Sequence, residues 1–163
     1  MSLPKRKLPR MERFDYSSAG YYFVTICTKD KKCIFGEPCR LNTIGKLAEA
    51  ELLGISGHYD GIAVDKFVIM PNHIHAVIII GCDHAERSRP FPTLSTVVGL
   101  YKSGTARRIH ELLPGLEVWQ KSFYDSVIRN DAAYLEICKY IEDNPVKWQS
   151  DELYPVPDTS APR

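Results

Sequence analysis

The sequence predicts an α+β protein in which helices pack on one face of a mainly antiparallel sheet. Its 163 residues are 44% hydrophobic and 25% charged, which is typical of a single soluble domain with its own core. Short runs of β-branched and aromatic residues alternate with longer stretches in which apolar residues recur at helical spacing. Their order is strand, helix, strand, strand, helix, strand and one last helix.

The first third of the chain predicts a strand and a helix. Residues 21–28 (YYFVTICT) are aromatic and β-branched, which favours a strand. The segment KKCIFGE that follows predicts an extension of this strand as a hairpin. Residues 42–59 predict a helix capped by Asn42 or Thr43. The apolar stripe of this helix comprises Ile44, Leu47, Ala48 and Leu52.

The middle of the chain predicts a β-hairpin, and the last third predicts two further helices. Residues 61–70 and 73–80 are apolar strands separated by a Pro-Asn turn. Residues 93–115 predict a long helix that its internal glycines can interrupt. A strand over residues 117–128 precedes the last helix at residues 130–144, which ends before a proline.

This order of elements is that of the split βαβ, or ferredoxin-like, unit with an extra C-terminal helix. The organisation we predict is a basic N-terminal arm over residues 1–15, one catalytic domain over residues 16–150, and a tail over residues 151–163 that is expected to be disordered. No internal repeat or linker divides the predicted domain.

Composition excludes several classes of protein. No stretch approaches the roughly 18 apolar residues of a membrane span, and the basic N-terminus lacks the apolar core of a secretory signal. The five cysteines include no CxxC pair, which indicates reduced thiols in the cytoplasm. The net charge is only +1, but basic residues crowd the first thirteen positions. Such an arm suits phosphate binding, although a solvated tail explains it equally well.

Two histidines begin the strand at residues 73–80. Because side chains alternate along a strand, His73 and His75 share one face, and the other face is apolar throughout. Their Cα atoms lie about 6–7 Å apart in a strand, which lets both imidazoles reach one divalent ion at about 2.0–2.2 Å. The alternative is a pair at a strand end, with one ring solvated and the other bonded to a backbone carbonyl.

The last helix offers partners for this pair, since Tyr140 and Asn144 are four residues apart on one helix face. The Asn144 amide oxygen suits Mg²⁺ or Mn²⁺, and a nearby cation would stabilise the Tyr140 phenolate. The alternatives are that Tyr140 covers the edge of the core and that Asn144 ends the helix. Spacing alone does not say whether this helix packs beside the histidine strand.

The segments MPNHIHAVIII and VWQKSFYDSVIRNDAAYLEICKYIEDNP, in this order, resemble the REP-associated tyrosine transposases. These are relatives of the single-tyrosine insertion-sequence transposases in the HUH endonuclease superfamily. The resemblance spans about residues 10–148 and implies a ferredoxin-like fold and DNA-strand cleavage. It implies that His73, His75 and Asn144 bind Mg²⁺ or Mn²⁺, and that Tyr140 is the nucleophile that forms a 5′-phosphotyrosine. Tyr124 and Tyr134 are weaker candidates.

The resemblance also implies the partner and the location. The expected substrate is single-stranded DNA with imperfect hairpins, and the expected location is the bacterial cytoplasm, on the nucleoid when bound to DNA. The insertion-sequence relatives are dimers, whereas REP-associated proteins act as monomers, so a monomer and a homodimer both stay open. Charge suggests phosphate contacts by Arg6, Arg10, Arg13, Lys102 and Arg129.

Two other functions are compatible with the same residues. One is a metal-dependent phosphohydrolase that uses a water nucleophile and forms no covalent adduct with DNA. The other is a nucleic-acid-binding module without catalytic activity, because sheets of this topology also bind RNA through surface aromatics.

Overall fold

The computed structural model describes residues 19–82 and 89–156. The strands are β1 (Gly20–Cys27), β2 (Gly36–Glu37), β3 (Arg40–Leu41), β4 (Ile62–Met70), β5 (His73–Ile80) and β6 (Tyr124–Ile128). The helices are α1 (Thr43–His58), α2 (Leu94–Leu112) and α3 (Asp131–Asp143), with short 3₁₀ turns at Lys29–Lys31 and Trp148–Ser150.

The main sheet has the strand order β4-β5-β1-β6, and each neighbouring pair is antiparallel. Strand β5 lies between β1 and β4, which α1 connects, so the split βαβ unit predicted from the sequence is present. The predicted α+β fold class is confirmed. Asn42, Thr93 and Asn130 cap the three helices by accepting a hydrogen bond from a backbone N–H three residues on.

The larger core lies between the sheet and helices α1 and α2. Strand β5 contributes the apolar face predicted from its alternation, and its members are Ile74, Ala76, Ile78 and Ile80. Helix α3 covers the opposite face, where Ile137 and Ile141 pack against Phe23 and Val77. The expectation that all helices share one face is therefore wrong. Phe23 and Val77 make this second face apolar as well, and it needs a cover of its own.

Three local predictions also differ from the structure. The segment KKCIFGE does not extend β1, because the chain turns away at Lys29–Lys31 and pairs β2 with β3 instead. Only Tyr124–Ile128 of the predicted strand at 117–128 joins the sheet, and Trp119 forms an isolated bridge. Helix α2 runs without a break through its glycines, since buried side chains on both sides of them hold it to the core.

No helix in the two described ranges has both the length and the apolar character needed to cross a bilayer.

Candidate active site

The two histidines stand at the start of β5, on the face covered by α3. Strand β5 is paired on both sides here, so that His73 lies opposite Cys27 of β1 and Met70 of β4. Both imidazoles are fully buried, and their ring centroids are 4.6 Å apart. The predicted pair therefore occupies a rigid part of the molecule.

Asn72 determines which nitrogen of His73 carries the proton. Its amide group donates to the backbone carbonyls of Lys31 at 3.1 Å and Leu153 at 2.7 Å. This fixes Asn72 Oδ1 as an acceptor, and it lies 2.7 Å from His73 Nδ1. Nδ1 therefore holds the hydrogen and Nε2 holds the lone pair. Burial lowers the pKa of His73 to about 3, and the nearby Asn144 opposes this change.

His75 is held in a comparable way by β1. Its Nδ1 lies 2.8 Å from the hydroxyl of Thr25, and its ring stacks on Phe23 at a centroid distance of 5.4 Å. Burial, and then the charge of a protonated His73, lower the pKa of His75 well below its ordinary value. Both imidazoles are therefore neutral near pH 7, which is the form that binds a metal.

Helix α3 brings Tyr140 to this pair within the same chain. The Tyr140 hydroxyl is 3.4 Å from His75 Nε2, and its ring meets Phe23 edge-on at 6.1 Å. The side chain is half-buried. Burial, followed by the charge of Asp151, raises the pKa of Tyr140 to about 12, whereas a hydrogen bond from Asn144 lowers it. Unaided, this phenol stays protonated at neutral pH.

Two atoms of this site have no hydrogen-bond partner among the described residues: His73 Nε2 and Asn144 Oδ1, both buried. Unpaired buried acceptors are costly, so a ligand is expected to satisfy them. Asp151 adds a carboxylate, with Oδ2 3.9 Å from His73 Nε2. One ligand atom from each of His73, His75 and Asp151 lies within 4.8 Å of the others. Imidazole nitrogens beside hard oxygens fit a divalent cation such as Mn²⁺ or Mg²⁺.

Helix α3 is fastened to β4 through an irregularity of that strand. The register of β4 against β5 shifts between Val64 and Phe67. The two residues within this shift both contact α3: the carboxylate of Asp65 accepts a hydrogen bond from Tyr134, and Lys66 Nζ lies 3.6 Å from an oxygen of Glu142. We refer to these two contacts as the β4–α3 clamp. The clamp holds the helix that carries Tyr140.

The predicted DNA-contacting residues are scattered. Arg6, Arg10 and Arg13 lie outside the described residues. The ammonium of Lys102 donates to the backbone carbonyls of Gln120 at 2.6 Å and Ser122 at 3.5 Å, and burial lowers its pKa. Arg129 is exposed immediately before α3. Residues 157–163 of the predicted tail also lie outside the described part of the chain, whereas Leu153 is buried.

Sequence reasoning missed Asn72 and Asp151. The sequence predicts Asn72 as a turn residue and Asp151 as part of the tail. Neither belongs to a local sequence pattern, because the two carbonyls that Asn72 bonds are 41 and 81 residues away along the chain and Asp151 approaches His73 of a distant strand. The spacing of Trp148 and Asp151 also does not predict that they lie at the site, although the Trp148 ring is 5.9 Å from that of His73.

Known proteins resemble this chain in sequence and in fold. A family model described as IS200-like transposase matches residues 16–144. An uncharacterized protein of Haemophilus influenzae is 33% identical over 170 residues, which cover 91% of this chain and 93% of the relative.

Two solved structures share the fold. The first is a REP-associated tyrosine transposase bound to a REP hairpin, with 17% identity, a TM-score of 0.58, and coverage of 86% of this chain and 74% of the other. The second is a candidate transposase of Deinococcus radiodurans, with 17% identity, a TM-score of 0.52, and coverage of 83% and 97%.

Proposed function

The chain belongs to the family of IS200-like transposases, as the resemblance in its sequence predicted, and from this premise we propose that it cuts and rejoins single-stranded DNA through Tyr140. The observation that carries the proposal is the 3.4 Å separation between the Tyr140 hydroxyl and His75 Nε2, beside two unpaired buried acceptors. A nucleophile next to a cation site suits transfer of a phosphodiester.

In the proposed reaction, the Tyr140 oxygen attacks the phosphorus of the scissile phosphodiester. A bond forms between Tyr140 and the 5′ phosphate, and the bond from phosphorus to the 3′ oxygen breaks. The proton that the phenol loses is balanced by the one that the 3′ oxygen gains. Joining is the reverse, in which a 3′-OH attacks the phosphotyrosine. The number of phosphodiester-type bonds is conserved, so no external energy source is needed.

The residues that would hold the metal are His73, His75, Asn144 and Asp151. A bound Mn²⁺ or Mg²⁺ would polarise the phosphate and favour the phenolate. Asn72 and Thr25 keep the two imidazoles in place, because each bonds to an Nδ1 and leaves Nε2 on the side of the site. Because its pKa is high, Tyr140 stays a neutral phenol and a weak nucleophile until positive charge is added beside it.

The substrate we propose is single-stranded DNA beside an imperfect hairpin. The support is the family match together with the fold shared with a protein solved on a REP hairpin. We also propose that each chain acts in cis, since its own Tyr140 reaches its own His75. Arg6, Arg10, Arg13, Lys102 and Arg129 stay candidates for DNA contacts, and Lys102 first has to leave its two carbonyl partners.

The test is a denaturing gel of the protein incubated with labelled hairpin-flanked single-stranded DNA and Mn²⁺ or Mg²⁺. We expect a protease-sensitive band of reduced mobility that Tyr140→Phe abolishes. Tyr124→Phe is the matched control and should keep the band. Cleavage without an adduct that survives Tyr140→Phe would favour the phosphohydrolase. DNA binding that His73→Ala leaves unchanged, with no cleavage by the wild type, would favour the binding module.

A further inference from the structure

A basic loop adjoins the site where β1 ends. Residues 29–32, here named the lysine loop, read Lys-Asp-Lys-Lys and directly follow β1 and Thr28. Cys27 pairs with His73, and the Thr28 N–H donates to the carbonyl of Asn72 at 3.0 Å. The loop therefore begins two residues beyond Cys27, whose pairing positions the first histidine. The sequence prediction of DNA contacts did not include it.

The backbone of the lysine loop is strained and firmly held. Asp30 and Lys31 adopt φ values of 53° and 54°, in the left-handed region, which aspartate tolerates better than most residues and which is uncommon for lysine. Three contacts hold this conformation: Lys29 N–H donates to Val118, the Thr28 hydroxyl donates to the Lys32 carbonyl, and Asn72 donates to Lys31. Backbone conformations of this kind, maintained by the surrounding contacts, are common at functional sites.

The charge of the loop is directed to solvent. Lys31 and Lys32 are exposed, Lys29 is partly exposed, and within the described residues none of the three forms an ion pair. Asp30 offsets one of the three positive charges. Asp151 and Glu152, on the tail, raise the pKa of Tyr140 by their negative charge. A phosphate chain that approaches the site is therefore repelled from the tail and attracted by the loop.

We propose that the lysine loop binds the phosphates of the single strand directly beside the scissile phosphate. The inference rests on the proposed function, which supplies the single-stranded substrate. Asn72 links the two parts, since one side chain bonds both the loop carbonyl of Lys31 and the imidazole of His73. The loop positions the strand by its charge and makes no selection among bases.

The test is the salt dependence of binding to an unstructured 20-nucleotide single strand, measured by fluorescence anisotropy in EDTA between 50 and 200 mM salt. The variant is Lys31→Gln with Lys32→Gln, which keeps the backbone demands of the loop unchanged. Each lost contact lowers the slope of log affinity against log salt by about 0.7. Two contacts lower it by about 1.4, so that over this range the wild type should lose about sevenfold more affinity than the variant.

The matched control removes the same charge from the helices on the opposite face, through Lys46→Gln with Arg107→Gln. We expect the control to keep the slope of the wild type. An unchanged slope in the loop variant, or an equal fall in the control, overturns the proposal. An equal fall on a closed hairpin without a single-stranded flank also overturns it.

This measurement contains no metal and needs no cleavage, so it is separate from the adduct test. A wild type that forms the Tyr140 adduct while the loop variant keeps its salt slope refutes the loop and leaves the proposed function standing. A wild type that forms no adduct while the slope falls refutes the proposed reaction and leaves a single-strand binding surface.

Discussion

Acidification should destabilise the protein through its buried histidines. His73 has a pKa of about 3 in the folded chain, against about 6.5 when it is unfolded. Between these values the unfolded state binds a proton that the folded state does not. The stability that neutral His73 contributes is thus complete above about pH 6.5 and is lost as the pH falls toward 3.

The size of this effect follows from the two pKa values. A pH of 5 lies about 1.5 units below the pKa of the unfolded imidazole, which is therefore almost fully protonated, whereas the folded imidazole is neutral. At about 1.4 kcal/mol per unit, His73 alone accounts for about 2 kcal/mol of lost stability between pH 7 and pH 5. His75, whose pKa is lowered in the same direction, adds to the loss. Asp151 acts in the opposite direction, because burial raises the pKa of its carboxyl.

The assay is urea unfolding in EDTA at pH 7 and pH 5, followed by tryptophan fluorescence. His73→Gln is the comparison, since it cannot titrate and keeps a polar side chain at the position. We expect the unfolding free energy of the wild type to fall by about 2 kcal/mol more than that of His73→Gln. If both proteins lose the same amount, the buried neutral state assigned to His73 is incorrect.

Three further predictions test other parts of the molecule. Asn72→Ala removes three hydrogen bonds, two of them buried, and should cost about 2–3 kcal/mol in urea unfolding. It should also weaken Mn²⁺ binding about 10- to 100-fold by calorimetry, and wild-type affinity would contradict the role of Asn72. Gly45→Ala should lower the urea midpoint, because the added Cβ would lie 2.3 Å from a backbone oxygen. Gly57→Ala, which has open space in the same helix, should raise stability by about 0.5–1 kcal/mol, and two shifts of the same sign would refute this prediction. Asp65→Ala and Tyr134→Phe should each slow adduct formation about tenfold without changing DNA affinity, since both remove the same hydrogen bond of the β4–α3 clamp. The double variant should be no slower than either, and additive rate losses would argue against the clamp.

Periodicity was sufficient for much of the fold. The alternation in β5 predicted its core face, because a strand places every second side chain on the same side, and the spacing in α1 predicted its buried stripe. Alternation also placed both imidazoles on the other face. The position of α3 was not predictable in this way, since it depends on Phe23 and Val77 forming a second apolar surface on strands that are distant in the sequence.

The candidate site was predictable only where local spacing carries it. The spacing of Tyr140 and Asn144 placed both on one helix face, but only the packed structure brings the phenol to His75. Asn72 and Asp151 act through contacts between distant segments, and no pattern of residue types precedes such contacts. The pattern of alternating residues also does not predict the register shift of β4 against β5, because one displaced pairing leaves the composition of the strand unchanged.

Strand β5 is paired on both sides, so the histidines are held more firmly than the parts of the site that pack against the sheet. The imidazoles lie on a strand that is hydrogen-bonded to a neighbour on each side. The strand pairing therefore determines the distance between them, and changes in the surrounding segments alter it little. The phenol and the tail carboxylate arrive on segments that follow the sheet in the chain and rest against it. Substitutions in the segments that follow the sheet can therefore shift the phenol and the carboxylate, while the separation of the two imidazoles stays unchanged.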